Sequence, residues 1–282
     1  MDHHPEASRP SSRNLFLVSS PSATLAVWSS AWLSGAAAAD DVLDALQDWA
    51  EFHEVVAADE RLATTLEIPV RGTAGGTPAS MLAALRRSGA VTAELVMPVP
   101  GDVRGLGGGG QFAAHALRAG EAVVLNGLGA VPEKLGKKVD TGIIRWTVYE
   151  VERSVATPNV PIGEAEHELT GAMRVAAGML IELGVAKQRA GVREELQARI
   201  AARTGSRWPA GMPQRALRVL QRAAEVASIL ELAMEDEPGG ALSASAAHKR
   251  AEALRPLFHA VRLARCAAVA DAVRALDVSD AH

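Results

Sequence analysis

The strongest constraint on the fold is a change of pattern near the middle of the chain. Before it, short apolar runs alternate with helical patterns, and from Gly163 onward the pattern is helical only. The stretch SVATPNVPIGE, with Pro158 and Pro161, is typical of a linker because proline interrupts helices and sheets alike. The sequence therefore predicts an α+β protein, possibly α/β, with an N-terminal mixed-sheet domain and an all-helical, bundle-like C-terminal domain. The predicted segments are a disordered tail (1–13), an α/β domain (14–153), a linker (154–162) and a helical domain (163–282).

Periodicity places the elements inside these segments. Strands are predicted at LFLV, HEVVA, TTLEIPV, TAELVMPV, EAVVLNG and GIIRWTVYEVE, and helices at SATLAVWSSAWLSG, DDVLDALQDWAEF, TPASMLAALRRSG and QFAAHALRAG. Ser22 is expected to cap the first helix. In the last strand, alternation of apolar and polar residues predicts one buried face and one partly solvated face. Further helices are predicted near 163–184, 191–204, 213–236 and 243–277, the last kinked or restarted at Pro256.

Composition excludes several classes of protein. The 282 residues are 48% hydrophobic and 22% charged, values typical of a globular protein rather than a disordered one. A net charge of −4 argues against binding nucleic acid over the whole surface. The apolar stretch near the N-terminus is broken by serines and is too polar for a membrane span. One cysteine, Cys266, forms no intramolecular disulfide, so we expect a cytoplasmic protein. Abundant alanine and a preference for arginine over lysine are typical of GC-rich bacterial genes.

A glycine-rich loop, RGLGGGGQF, is the first candidate site. Its glycines match G-x-G-x-x-G spacing before a predicted helix, where backbone amides can hold a phosphate. However, PGDVR separates the loop from the preceding strand, the next strand ends in Asn126 instead of an acid, and there is no Gly-Lys-Ser/Thr. A flexible surface loop is therefore favoured, with an anion or cofactor site of unspecified ligand as the alternative. The candidate binding residues are Asp102, Arg104, Gly105, Gly107, Gly110, Gln111 and His115.

A basic segment is the second candidate site. Between Lys187 and Arg222 the sequence carries nine lysines and arginines and two acids. Arginines at i, i+3 and i+7 near a tryptophan can bind phosphates or an acidic protein surface. The acids that follow, from Glu225 onward, could neutralise them. The candidate residues are Arg207, Trp208, Arg215, Arg218 and Arg222.

Catalytic and metal patterns are weak. Glu164, His167 and Glu168 would share one helix face, but a di-iron bundle needs a second Glu-x-x-His pair that the chain lacks. No metal site is predicted, and no G-x-S-x-G, Cys-x-x-Cys or His-Glu-x-x-His occurs. This favours a non-enzymatic binding, regulatory or scaffolding protein acting through its helical domain on a protein partner or a second copy. Alanine-rich faces that would permit close helix contact lie around Ala223, Ala224, Ala267 and Ala268. The alternatives are a phosphate- or nucleotide-binding enzyme or sensor that uses residues 102–111, and nucleic-acid binding through residues 187–222.

Overall fold

The computed structural model describes residues 20–135, 142–152, 160–182, 207–235 and 244–278. The elements of the first part are α1 (Pro21–Leu33), α2 (Ala39–Gln47), β1 (Phe52–Ala57), α3 (Glu60–Leu66), α4 (Pro78–Arg87), β2 (Glu94–Val96), α5 (Gln111–Ala119), β3 (Ala122–Leu125), β4 (Leu128–Leu135) and β5 (Ile143–Glu150). Within the described residues of the second part there are three helices: α6 (Ile162–Glu182), α7 (Gln214–Glu235) and α8 (Ala244–Val278). The predicted tail, the strand at 15–18, most of the linker and the helix at 191–204 lie outside the described residues.

The five strands form one mixed sheet in the order β1-β5-β4-β3-β2. β1 pairs with β5 in parallel, and all other pairs are antiparallel. A mixed sheet followed by helices confirms the predicted α+β class. The sequence did not predict β4, although it is the middle strand of the sheet. Its Pro132 is tolerated because β3 pairs only with residues 128–130, so Pro132 lies beyond that pairing.

The predicted strand TTLEIPV is wrong in its first half. Residues Thr64 to Leu66 belong to α3, which Asp59 caps by accepting a hydrogen bond from the Leu62 amide at 2.9 Å. The threonines are accommodated in the helix because their hydroxyls donate to backbone carbonyls one turn earlier. Only Val70, near the end of the segment, forms an isolated bridge with β1.

Helix α1 occupies the centre of the molecule. Every residue from Pro21 to Trp32 is buried, and the helix packs against the strands on one side and α8 on another. Its cap is Ser20 rather than the predicted Ser22, since the Ser20 hydroxyl accepts from the Ala23 amide at 3.0 Å. Glu121, fully buried before β3, accepts from the Ser20 hydroxyl and the Ser22 amide. Burial raises the pKa of Glu121.

The helical part packs directly on this central helix. α8 lies along both α6 and α7 and also contacts α1 and β2. The Trp28 indole of α1 donates to the Arg207 carbonyl at 2.9 Å, just before α7. One hydrophobic core therefore joins the sheet side to the helices. Pro256 lies inside the continuous α8, so the alternative that it begins a new helix is wrong.

Strand β5 has the predicted buried face, formed by Ile144, Trp146 and Val148. Its other face is more buried than predicted, because Thr147 and Tyr149 are also inaccessible to solvent. Tyr149 packs in a second apolar cluster with residues of α5, which covers this side of the sheet.

Candidate functional site

The glycine loop, residues 101–110, connects β2 to α5. Gly105 (φ +81°) lies so close to β2 that a Cβ there would be 2.4 Å from Val96 Cγ1. At Gly107 (φ +67°) a Cβ would be 2.7 Å from the Glu152 carbonyl oxygen. Both distances are shorter than any ordinary contact, and both backbones adopt a conformation that favours glycine. The first two glycines of the G-x-G-x-x-G pattern are thus explained by packing.

The rest of the loop is more open. A Cβ on Gly108, Gly109 or Gly110 would meet no atom within 4 Å. Gly110 is the N-cap residue of α5 and, because it has no side chain, the first backbone amides of this helix receive no side-chain cap. Gln111 is exposed at the start of this helix.

An ion cluster ties the loop to the helical part. Asp102 accepts from Arg104 Nε at 2.8 Å and Nη2 at 2.6 Å, and from Nη2 of Arg262 on α8. Arg262 Nη1 also donates to the Met97 carbonyl at 2.9 Å, and its side chain is only 13% exposed. The hydrogen bonds from Arg104, reinforced by Arg262, hold the pKa of Asp102 far below its usual value. Asp102 is therefore a carboxylate held between two guanidinium groups.

A small, partly open cleft adjoins this cluster, between β2, the loop and α8. Its volume of about 60 Å³ is room for roughly four to six waters. The polar groups on its wall are Glu94, Arg104, Arg262 and Cys266. Burial raises the pKa of Glu94, and burial raises the pKa of the Cys266 thiol to about 11. Cys266 is thus protonated at neutral pH, and a protonated thiol is a poor nucleophile.

The seven predicted loop residues do not form a single site in the structure. Arg104 and Gly105 line the cleft, and Asp102 adjoins it through its ion pair with Arg104. His115 of α5 does not line the cleft. It is buried against β5, where its Nδ1 lies 2.8 Å from the Tyr149 hydroxyl. Sequence reasoning missed Arg262 and Glu94, because nothing in their local pattern distinguishes them from other charged residues.

Two histidines, the half-buried His53 and the buried His115, are expected to make stability depend on pH. His53 Nε2 donates to the Leu46 carbonyl at 2.7 Å and its Nδ1 accepts from the Trp146 indole at 3.1 Å, so this ring is neutral. Burial lowers the pKa of His53 and of His115 from the ordinary 6.5. As the pH falls below about 6.5, the unfolded chain takes up protons before the folded one, and stability decreases.

We therefore expect the free energy of unfolding, measured by urea titration, to fall between pH 7 and pH 5. His53→Gln and His115→Gln should each flatten this dependence. His167→Gln, at an exposed position on α6, should leave the slope unchanged. An identical slope in all four proteins would contradict the burial argument.

The described arginines of the basic segment, those from residue 207 onward, are exposed. Arg215 donates to Glu166 of α6 at 3.1 and 3.2 Å. Within the described residues, Arg218 and Arg222 form no ion pair, and the nearest acid along α7, Glu225, accepts from Gln221 instead. The two other predicted members are placed differently: Arg207 is exposed before α7, whereas Trp208 is half-buried against the core.

The remaining candidates are accounted for by local structure. Glu164, His167 and Glu168 are exposed on α6, and the described part of the chain contains no cluster of three residues able to hold a metal ion. Ala223, Ala267 and Ala268 are buried inside the chain and Ala224 is partly buried, so these alanines serve internal helix packing. No helix among the described ranges is sufficiently long and apolar to span a bilayer.

Comparison with known proteins identifies the family. Two family models match nearly the whole described chain: the N-terminal domain of Rv1486c-like proteins over residues 22–161 and their C-terminal domain over residues 163–266. The chain belongs to the Rv1486c-like family. The two matched segments adjoin at residue 162, where α6 begins.

Relatives of the Rv1486c-like family occur in mycobacteria. The chain is 37% identical to "Uncharacterized protein Rv1486c" of Mycobacterium tuberculosis, 34% to "Uncharacterized protein ML1804" of Mycobacterium leprae and 32% to "Uncharacterized protein MAV321" of Mycobacterium avium. Each comparison covers 88% of this chain and 96% of the relative. No solved structure matches the chain.

Proposed function

We propose that this protein is a non-enzymatic binding protein that docks an acidic protein surface through its helical part. The observation that carries the proposal is the exposed pair Arg218 and Arg222 on α7, which no acid neutralises in the described part of the chain. Because they are four residues apart, they lie on one face of the helix. Unpaired guanidinium groups on a rigid helix are suited to bidentate contacts with carboxylates.

The composition of this face favours a protein over a nucleic acid. Ile229 lies seven residues after Arg222 on the same face and is 40% exposed, which offers an apolar contact beside the charges. Apolar contacts flanked by arginines are typical of protein interfaces.

The state of four titratable groups also supports a binding role. The Cys266 thiol is kept protonated by burial, and the Asp102 carboxylate is engaged by two arginines. The half-buried His53 and the buried His115 are both hydrogen-bonded within the protein. None of these groups is presented, uncommitted, to an incoming substrate.

The test is binding of a fluorescent acidic peptide, about 20 residues long and amphipathic, with glutamates along one helical face. We expect the double variant R218E/R222E to weaken binding at least about tenfold, since like charges then oppose each other. The matched control is R255E/R274E, which makes the same charge change at two exposed arginines of α8. It should bind like the wild type.

Two results would overturn the proposal. Equal weakening in both double variants would show that only the total charge matters. Stronger binding of a single-stranded oligonucleotide than of any acidic peptide, lost in R218E/R222E and falling steeply with salt, would favour the nucleic-acid alternative.

A further inference from the structure

The cleft between β2, the glycine loop and α8 has an unusual balance of charge. Glu94, Arg104 and Arg262 line the cleft, and Asp102, which is paired with both arginines but is not part of the lining, adds a second carboxylate beside it. Asp102 is hydrogen-bonded to both arginines. In contrast, the Glu94 carboxylate has no hydrogen-bond or ion-pair partner among the residues that the structure describes.

Glu94 is half-buried, so an unpartnered carboxylate there is costly. Carboxylates removed from water are normally stabilised by a donor or a cation. Glu94 lines the cleft together with Arg104 and Gly105, so open volume lies next to it. The free side of this carboxylate therefore faces a position where a ligand's ammonium group can sit.

Arg104 supplies the opposite charge at the same cleft. Its Nε and Nη2 atoms donate to Asp102, which leaves Nη1 able to donate elsewhere. The side chain is 51% exposed, so an incoming anion can reach it. Arg262 is less available, since both of its terminal nitrogens are engaged by protein groups.

We propose that this cleft binds a small zwitterion, an α-amino acid with a small side chain, with its ammonium group at Glu94 and its carboxylate at Arg104. A net-neutral ligand matches the balanced charges of the cleft. The volume of about 60 Å³ limits the ligand to roughly the size of glycine, alanine or serine. Leu263, Cys266 and Ala267 of α8 form an apolar wall beside which a methyl group can pack.

This site is independent of the arginine face on α7, so either proposal can fail without the other. It also differs from a phosphate loop, because it uses the side chains at the cleft and not the open glycines that precede α5. A zwitterion site predicts that a ligand with only the ammonium group, or only the carboxylate, does not bind comparably.

The experiment is ligand-observed NMR and thermal unfolding of the full chain with glycine, L-alanine and L-serine, up to about 10 mM. Acetate and ethylamine serve as the single-charge halves of the ligand. We expect at least one amino acid to bind, and neither acetate nor ethylamine to bind comparably. Glu94→Gln and Arg104→Gln should each weaken binding at least about tenfold. The control Arg61→Gln, at an exposed arginine of α3, should leave it unchanged.

Absence of binding by all three amino acids to the wild-type chain would overturn the proposal. Binding that Glu94→Gln leaves unchanged would also overturn it, because the ammonium group would then lie elsewhere. Acetate binding as strong as that of the amino acids, and sensitive only to Arg104→Gln, would replace the zwitterion site by a simple anion site.

Discussion

Replacing Asp102 by asparagine is expected to lower the free energy of unfolding by about 2–3 kcal/mol. The substitution preserves the shape of the side chain but removes the charge that Arg104 and Arg262 share. The Arg262 side chain is 13% exposed, so its guanidinium group would remain largely out of water without a counter-ion. Breaking a fully buried ion pair costs about 3–5 kcal/mol, and an exposed pair contributes less than about 1 kcal/mol. The partial exposure here places the expected loss between these limits.

Thermal or urea unfolding measures this loss, which corresponds to a decrease of roughly 3–5 °C in Tm for a chain of this length. The matched control is Asp271→Asn on α8, which removes the acid that pairs with Arg274, an exposed arginine of the same helix. It should change Tm by no more than a degree or two. Equal effects of the two substitutions would show that the Asp102 cluster contributes no more than a surface ion pair.

Acid unfolding gives a second readout for the same cluster. The pKa of Asp102 is lower in the folded chain than its ordinary 3.8, because Arg104 and Arg262 favour the carboxylate. Its contribution is therefore fully present above about pH 3.8 and is lost as the pH falls further. Asp102→Asn should remove this part of the acid sensitivity, whereas Asp271→Asn should preserve it.

The helices with clear start and stop signals could be predicted from the sequence. α4 begins at the predicted Pro78 and is closed by Gly89, which adopts a positive φ. The elements that were missed carry conflicting signals. The run that forms β4 contains Pro132 and two charged residues, and α3 contains adjacent β-branched threonines that favour a strand.

The candidate site was only half predictable for a different physical reason. Asp102 and Arg104 are near neighbours in the sequence, so their pairing has a local signal. Arg262 meets Asp102 across 160 positions of chain, and its contact depends on how α8 packs against β2. Periodicity shows which face of a helix is apolar, but it contains no information about which distant loop a single arginine will meet.

The glycine-rich pattern is ambiguous at the level of sequence, since close packing and phosphate binding both require glycine. A phosphate loop needs glycines so that its amides can approach an anion. In this structure Gly105 and Gly107 instead allow the loop to approach Val96 and the Glu152 carbonyl. A substitution that fills one of these spaces distinguishes the two explanations.

Gly107→Ala is expected to destabilise the fold by about 3 kcal/mol, since a positive φ costs about 1 kcal/mol for alanine and overpacking adds about 1–3 kcal/mol. The new Cβ would be 2.7 Å from a backbone oxygen, which cannot move aside as a flexible side chain would. Urea unfolding at neutral pH measures the change.

The matched control is Gly109→Ala in the same loop, where a Cβ meets no atom within 4 Å and φ is not positive. This variant should lie within about 0.5 kcal/mol of the wild type. If both alanines were tolerated, the loop would not be held by close packing, and its glycines would need another explanation, with anion binding the first to test. If only Gly107→Ala unfolds the chain, the spacing that resembles a phosphate loop is a consequence of how this segment packs between β2 and the residues that follow β5.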